Sequence, residues 1–253
     1  MDCMEYMQTL PDGAFDLAVV DPPYGSGLVP AESPAEARKR ARREAAAPKS
    51  TDPDRNAGSA EPGLSSTIMV THGCPGTHRR ILRKVGDRGS DIRVWDIAPP
   101  RKYFVELARV SHHQIIWGGN YFDLPPTRCF LVWRKLQIPL EGFSMAPVEY
   151  AWTNFNCNAC MFEAFSNSSS GKGSEKRFHP TQKPVELYEW IYRHFAKPGD
   201  KILDTHLGSG SSRIAAWNLG YDFVGCELDE AYFRLEEERF EAHAAQGNLF
   251  LGL

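Results

Sequence analysis

Nothing in these 253 residues approaches a membrane-spanning apolar run, and the opening Met1-Asp2-Cys3-Met4-Glu5 has neither the basic nor the apolar region of a signal peptide. A chain lacking both is expected in the cytoplasm. Cysteine is sparse: six residues are scattered through the chain, too spread out for a disulfide framework. Cys157 and Cys160 form one Cys-x-x-Cys, but no second pair stands at zinc spacing and His179 belongs to another motif, so no metal is expected. Positive charge is not in excess either. The net charge of -3 argues against indiscriminate coating of nucleic acid, although basic residues gather locally at Arg38-Lys39-Arg40, Arg42-Arg43, Arg134-Lys135 and between Lys172 and Arg177.

Large apolar residues are almost absent from residues 26–66, where Ala, Arg, Pro, Ser and Gly dominate. Such a stretch cannot build a core and reads as a flexible insertion, with helical propensity over residues 35–47. The chain as a whole is 42% hydrophobic and 24% charged, enough to bury one full core. Short apolar runs that suit buried strands cover residues 15–20, 91–96, 114–117, 129–133, 148–152, 201–204 and 223–227. Helices are predicted over residues 4–10, 102–110, 184–195 and 213–219, and from Asp229 to about residue 244, with apolar faces on the second and third. Residues 155–177 read as irregular. The alternation predicts an α/β domain that passes into a hairpin near its middle.

Two constellations carry chemistry. Asp21-Pro22-Pro23-Tyr24 leaves the first predicted strand at its carboxyl end, where open α/β sheets bind their ligands. The prolines donate no N–H and make a rigid turn with free carbonyls, so acid, carbonyl and ring together suit a planar substrate bearing an amino group. Taken alone, Asp-Pro-Pro is also a common way to leave a strand. Further on, Asp204-Thr205-His206-Leu207-Gly208-Ser209-Gly210 joins a strand to a helix, and Glu227 ends the next strand. Glycines there let backbone approach a ligand, and the acid can accept ribose hydroxyls. A dinucleotide would want a third glycine where Arg213 stands, so a ribose cofactor without pyrophosphate, such as S-adenosylmethionine, fits better than NAD.

Asp21 to Tyr24, then His179-Pro180-Thr181-Gln182-Lys183-Pro184, then residues 204–212 with Glu227, resemble the beta-group DNA amino-methyltransferases, in which the catalytic motif precedes the cofactor motifs. Trp117-Gly118-Gly119-Asn120-Tyr121-Phe122 and Asp204-Thr205-His206 are similar to a phage and prophage branch. The resemblance covers nearly the whole chain except residues 26–66. It implies a single domain with a circularly permuted, Rossmann-like methyltransferase fold, a mostly parallel seven-stranded sheet, S-adenosylmethionine as cofactor and a bacterial or phage-infected cell as setting. By position, Asp204, His206, Gly208, Ser209 and Gly210 would line the methionine and ribose. Glu227 would hold the ribose hydroxyls, Leu228 would pack on the adenine and Asp2 would lie near its amine. His179, Thr181 and Lys183 would close the methionine end. The family more often has Pro and Phe in place of Thr205 and His206, and the strand that usually precedes Asp2 is absent.

The activity implied is methyl transfer to the exocyclic amine of a base flipped out of double-stranded DNA. Asp21 and the Pro22 carbonyl would aim the amine, with Pro23 fixing the turn and Tyr24 stacking on the base. The Asp form of the tetrapeptide leans toward adenine N6, with cytosine N4 as the alternative. Carbon-5 methylation would want a cysteine after proline, and no Pro-Cys occurs. A non-catalytic DNA-binding protein on the same fold and an NAD-dependent oxidoreductase are the competing readings. Target recognition is expected at residues 155–178, with Lys172, Lys176 and Arg177 on DNA, Arg134 and Lys135 on phosphates, and Arg38, Arg40, Arg42 and Arg43 closing over the duplex. A homodimer is the alternative to a monomer.

Overall fold

The computed structural model describes residues 2–25, 67–71, 78–81, 96–141, 146–165, 178–179 and 181–251, with backbone alone for 67–71, 78–81 and 247–251. The insertion at 26–66, the run at 91–95 and the basic residues Arg38, Arg40, Arg42, Arg43, Lys172, Lys176 and Arg177 lie outside the described residues.

The first helix, α1 (Cys3–Gln8), starts where the Asp2 carboxylate accepts the Met4 N–H at 2.8 Å, satisfying a donor that the first helical turn leaves open. Strand β1 (Phe15–Val20) follows and is buried along nearly its whole length, as its apolar run, interrupted only by Asp16, demands of a strand covered on both faces. After it come β2 (Thr67–Thr71), β3 (His78–Ile81), α2 (Arg101–Val110), β4 (Ser111–Trp117), a single helical turn at Gly119–Tyr121, β5 (Phe130–Lys135), β6 (Val148–Thr153) and β7 (Cys160–Ala164). The chain closes with α3 (Val185–Phe195), β8 (Lys201–Asp204), α4 (Ser211–Leu219), β9 (Asp222–Glu227) and α5 (Glu230–Leu251). Among the described residues no helix is long and apolar enough to cross a membrane.

The strands form one sheet in the order β3-β2-β9-β8-β1-β4-β6-β5-β7. Seven of them make the expected mostly parallel sheet: β9, β8, β1 and β4 run parallel, β6 is antiparallel to both neighbours, and β7 is parallel to β5. The β2–β3 hairpin, not expected from sequence, adds two antiparallel strands beyond β9. Residues 155–177 are not irregular throughout, because β7 lies within them. Its alternating half-exposed pattern suits an edge strand, and its five residues are too few to mark it as one.

One apolar layer packs Leu17, Val19, Ile115 and Trp117 under α3 and α4, through Leu187, Ile191 and Ala215. On the other face Ala18, Val20 and Ile116 meet Met7 of α1 and Tyr103 and Leu107 of α2. Register then decides what meets at the carboxyl edge. Ala18 pairs with Leu203, Val20 with Ile116, and Asp204 with Gly225, so the ends of β1, β4, β8 and β9 stand side by side. Two motifs about 180 residues apart in sequence become neighbours because β1 lies between β8 and β4.

Candidate active site

Asp21 leaves β1 as the sheet ends, and its carboxylate, only 11% exposed, is held from two sides. Lys183 Nζ stands 2.5 Å from Oδ2, and the Tyr24 hydroxyl donates to Oδ1 at 2.8 Å. Burial pushes the Tyr24 phenol well above its ordinary pKa, and the Asp21 charge adds to this, so the ring keeps its proton and remains the donor. Pro22 is buried.

The Tyr24 ring is set by the Gly118-Gly119 turn that ends β4. Gly118 adopts φ +67, and a Cβ there would fall 2.1 Å from Tyr24 Cε1 and 2.5 to 2.6 Å from its ring neighbours, over the face of the ring. Glycine is therefore required twice, by the left-handed backbone and by the approach of the ring. Tyr121 stacks on Tyr24 with centroids 4.8 Å apart and planes 14° from parallel, while Phe122 meets it edge-on. The Gly25 N–H is tied to the Asp96 carboxylate at 3.1 Å.

The second constellation lies beside the first. Asp204, buried at the end of β8, accepts the His206 N–H at 3.0 Å and the Ser212 hydroxyl at 2.5 Å. Burial raises its carboxyl to about 7 despite those donors, and the Asp21 and Glu227 charges push the same way. The Glu227 carboxylate takes the Gly208 N–H at 2.8 Å and the Asp229 N–H at 2.9 Å, leaving each oxygen a second lone pair. Leu228 next to it is 44% exposed. His179 comes close to Gly208, where a Cβ would sit 3.2 Å from its ring, and Thr181 bonds His179 Nδ1 through its hydroxyl at 3.1 Å. His179, Thr181, Gly208, Glu227 and Leu228 thus share one edge of the sheet, with a carboxylate, an open apolar side chain and close backbone. That set suits a nucleoside.

The unusual pair Thr205 and His206 is explained by a third residue. Tyr103 of α2 meets Thr205 Oγ1 at 2.5 Å, Thr205 meets His206 Nδ1 at 2.9 Å, and the His206 ring lies edge-on to Tyr103. Burial lowers the imidazole to about 4, with Asp2 acting the other way, so the ring is neutral at physiological pH. Asp2 itself is used as the cap of α1.

Several of the expected site residues have partners that the sequence does not show. Lys183, expected at the methionine end, has its ammonium on Asp21, because the segment entering α3 crosses the end of β1 and Asp21 is the counter-ion in that buried place. Lys135 is paired with Glu149 at 2.5 Å, and the Arg134 guanidinium bonds the carbonyls of Lys135, Ile138 and Pro147. Both cations have partners within the protein. Ser209 has its carbonyl on Arg239, and Gly210, at φ +72, yields its side-chain space to Glu236. Cys157 is not merely one half of a Cys-x-x-Cys, since its sulfur lies 3.1 Å from that of Cys129. Sequence reasoning missed Glu149, a lone acid in the apolar run of β6, and a charge on a strand face that packs inward was the signal available.

Residues 94–238 match the family model described as DNA methylase, of the N6/N4 type. Type II methyltransferase M2.DpnII of Streptococcus pneumoniae is 42% identical over 64 residues, 25% of this chain and 24% of that protein. Type II methyltransferase M2.LlaDCHI of Lactococcus lactis subsp. cremoris is 35% identical over 95 residues, 37% of this chain and 35% of its own length. The match therefore spans about a quarter to a third of these relatives. Among solved structures, the M1.HpyAVI–SAM complex aligns with TM-score 0.45 and 17% identity, covering 94% of this chain and 96% of that one. The cytosine-N4-specific PvuII DNA methyltransferase aligns with TM-score 0.48 and 12% identity over 95% and 84%.

Proposed function

The chain belongs to the DNA methylase family of the N6/N4 type, and from that premise we propose that it transfers a methyl group from S-adenosylmethionine to the N6 amine of adenine in double-stranded DNA. The observation that carries the reading is the Asp21 carboxylate, buried, paired with Lys183 and standing beside the Gly208–Glu227 edge. When bound, S-adenosylmethionine supplies a methyl group on a positively charged sulfur. Glu227 has lone pairs to spare for ribose hydroxyls, Leu228 offers an apolar surface to adenine, and Asp204 offers a carboxyl to a cation.

The amine of adenine is a poor nucleophile because its lone pair is delocalised into the ring. Asp21 and the Pro22 carbonyl accept its two N–H bonds, which draws the nitrogen toward tetrahedral geometry and turns the lone pair toward the methyl carbon. The nitrogen gains positive charge as its bond to carbon forms and the carbon–sulfur bond breaks, and one N–H proton then leaves to water. Holding both reactants in this alignment supplies much of the acceleration. Extruding the base costs a few kcal/mol, and stacking on Tyr24 returns about 1 to 3 kcal/mol. The Asp form of the tetrapeptide supports adenine over cytosine.

The test is tritium transfer from labelled S-adenosylmethionine to DNA prepared from a methylase-free strain. Label is expected in the DNA, and Asp21→Ala is expected to lower the rate by about two to three orders of magnitude while calorimetry still registers the cofactor. Absence of label with the wild-type protein, or an unimpaired Asp21→Ala variant, contradicts the proposal.

A further inference from the structure

A row of four alternating charges runs along the carboxyl edge of the sheet: Asp21, Lys183, Glu149 and Lys135. Lys183 Nζ is 2.5 Å from Asp21 Oδ2 and 3.2 Å from Glu149 Oε2, and Lys135 Nζ is 2.5 Å from Glu149 Oε1. Lys183 is only 4% exposed and rests over the Trp117 ring at 5.2 Å. Glu149 alternates along β6 with Ala151 and Thr153, both fully buried, so it points to the face covered by α3. A carboxylate on that face costs desolvation, which the two flanking cations offset.

We propose that Glu149 is a positioning residue for Asp21, acting through Lys183, in the methyl transfer proposed above, on which this inference rests. Asp21 must accept a hydrogen bond from an amine on which positive charge is building. An ammonium 2.5 Å away and devoted to Asp21 alone would neutralise that carboxylate and oppose the charge. Glu149 divides the pull on Lys183 between two carboxylates, so Asp21 is fixed in orientation yet keeps its strength as an acceptor. Glu149 Oε2 stands 3.2 Å from the Lys183 ammonium, farther than Asp21 Oδ2, and charge attraction outweighs the hydrogen bond in that contact. Exchange of Glu149 for glutamine therefore removes the charge while keeping the volume.

The titration behaviour agrees. Burial opposes the Lys183 charge, but Asp21 and Glu149 together hold its pKa above the usual value. Burial likewise opposes the Glu149 charge, and Lys183 and Lys135 more than offset it. The remaining groups around this row are Tyr24 on Asp21, and Tyr188 of α3 and Asp204 of β8, both of which feel the Asp21 charge. With glutamine at 149 one counter-charge is gone, so Lys183 loses its proton at lower pH.

The experiment compares wild type, Glu149→Gln, Glu149→Asp and Lys135→Met in tritium transfer to methylase-free DNA from pH 7 to 11, a range that reaches past the ordinary lysine pKa. Cofactor affinity by calorimetry and melting temperature accompany each. Glu149→Gln is expected to lose about ten- to a hundredfold in kcat, the scale of a small misplacement of a reacting group. Its cofactor affinity is expected to stay within about twofold, and its alkaline limb to move down by about one pH unit. Glu149→Asp is expected to recover part of the rate. Lys135→Met, which leaves Glu149 wholly to Lys183, is expected to keep the alkaline limb at or above its wild-type position, and this arm decides the question if Glu149→Gln melts early. An active wild type with an unmoved limb and unchanged kcat in Glu149→Gln overturns the inference alone, as does a downward shift in Lys135→Met. A wild type that transfers no label overturns the methyl-transfer reading and this inference together.

Discussion

Asp204 carries the most readable prediction at the level of single residues. Its carboxyl is raised to about 7 in the ligand-free protein, chiefly by burial, so near neutrality it is about half protonated. A cation placed beside it favours the carboxylate, lowers that pKa and expels the proton. Binding of S-adenosylmethionine at pH 7 is therefore expected to release up to about half a proton, read by calorimetry in two buffers of different ionisation enthalpy. The release is expected to fade as pH rises well above 7, where the free protein has already lost the proton, and an enthalpy independent of buffer contradicts this placement of the cation. Asp204 was legible in the sequence because it sits in a contiguous strand, turn and helix. So was Asp21, whose neighbours in the chain are its neighbours in space. Glu149 was not, because its meaning depends on Lys183, which only the sheet brings to it.

Among the elements, α4 and α5 show how the chain dispenses with the third glycine of a dinucleotide turn. Arg213 of α4 is 3% exposed, and its Nη1 lies 3.0 Å from both oxygens of Glu236, which is fully buried, and 2.6 Å from Glu237. The guanidinium carbon stands 3.6 Å above the Phe240 ring. The space saved at Gly210 is occupied by the Glu236 side chain, so the two helices interlock through an ion pair where smaller residues would have touched directly. Arg213→Met leaves a buried carboxylate without its main partner and is expected to cost about 3 to 5 kcal/mol in denaturant unfolding. The double change Arg213→Met with Glu236→Leu is expected to recover most of that, and equal losses in the single and double variants would contradict this account of the interface. Sequence predicted α4 from the glycine-bearing turn before it and α5 from the Asp229 cap but read Arg213 only as an obstacle, since a partner 23 positions away has no local signature. Strands β7 and the β2–β3 hairpin escaped notice for a related reason. These strands are fixed by pairing with distant segments, and runs of four or five residues such as Cys160–Ala164 and His78–Ile81 carry too short a pattern to reveal it.

Taken as a whole molecule, the permuted chain order matters less than the strand order. Motifs from the beginning and the end of the chain meet because β1 is inserted between β8 and β4, and their register brings Asp21, Gly118, Asp204 and Glu227 to one edge. In the function proposed, Asp21 and the Gly208–Glu227 edge serve as two neighbouring parts of one site. The most direct test is to incubate methylase-free DNA with the protein and S-adenosylmethionine, digest it to nucleosides and identify the methylated species by mass spectrometry. N6-methyladenine is the predicted product, absent with Asp21→Ala. N4-methylcytosine would retain the chemistry and correct the base, whereas 5-methylcytosine or no methylated nucleoside would contradict the claim that Asp21 aims an exocyclic amine.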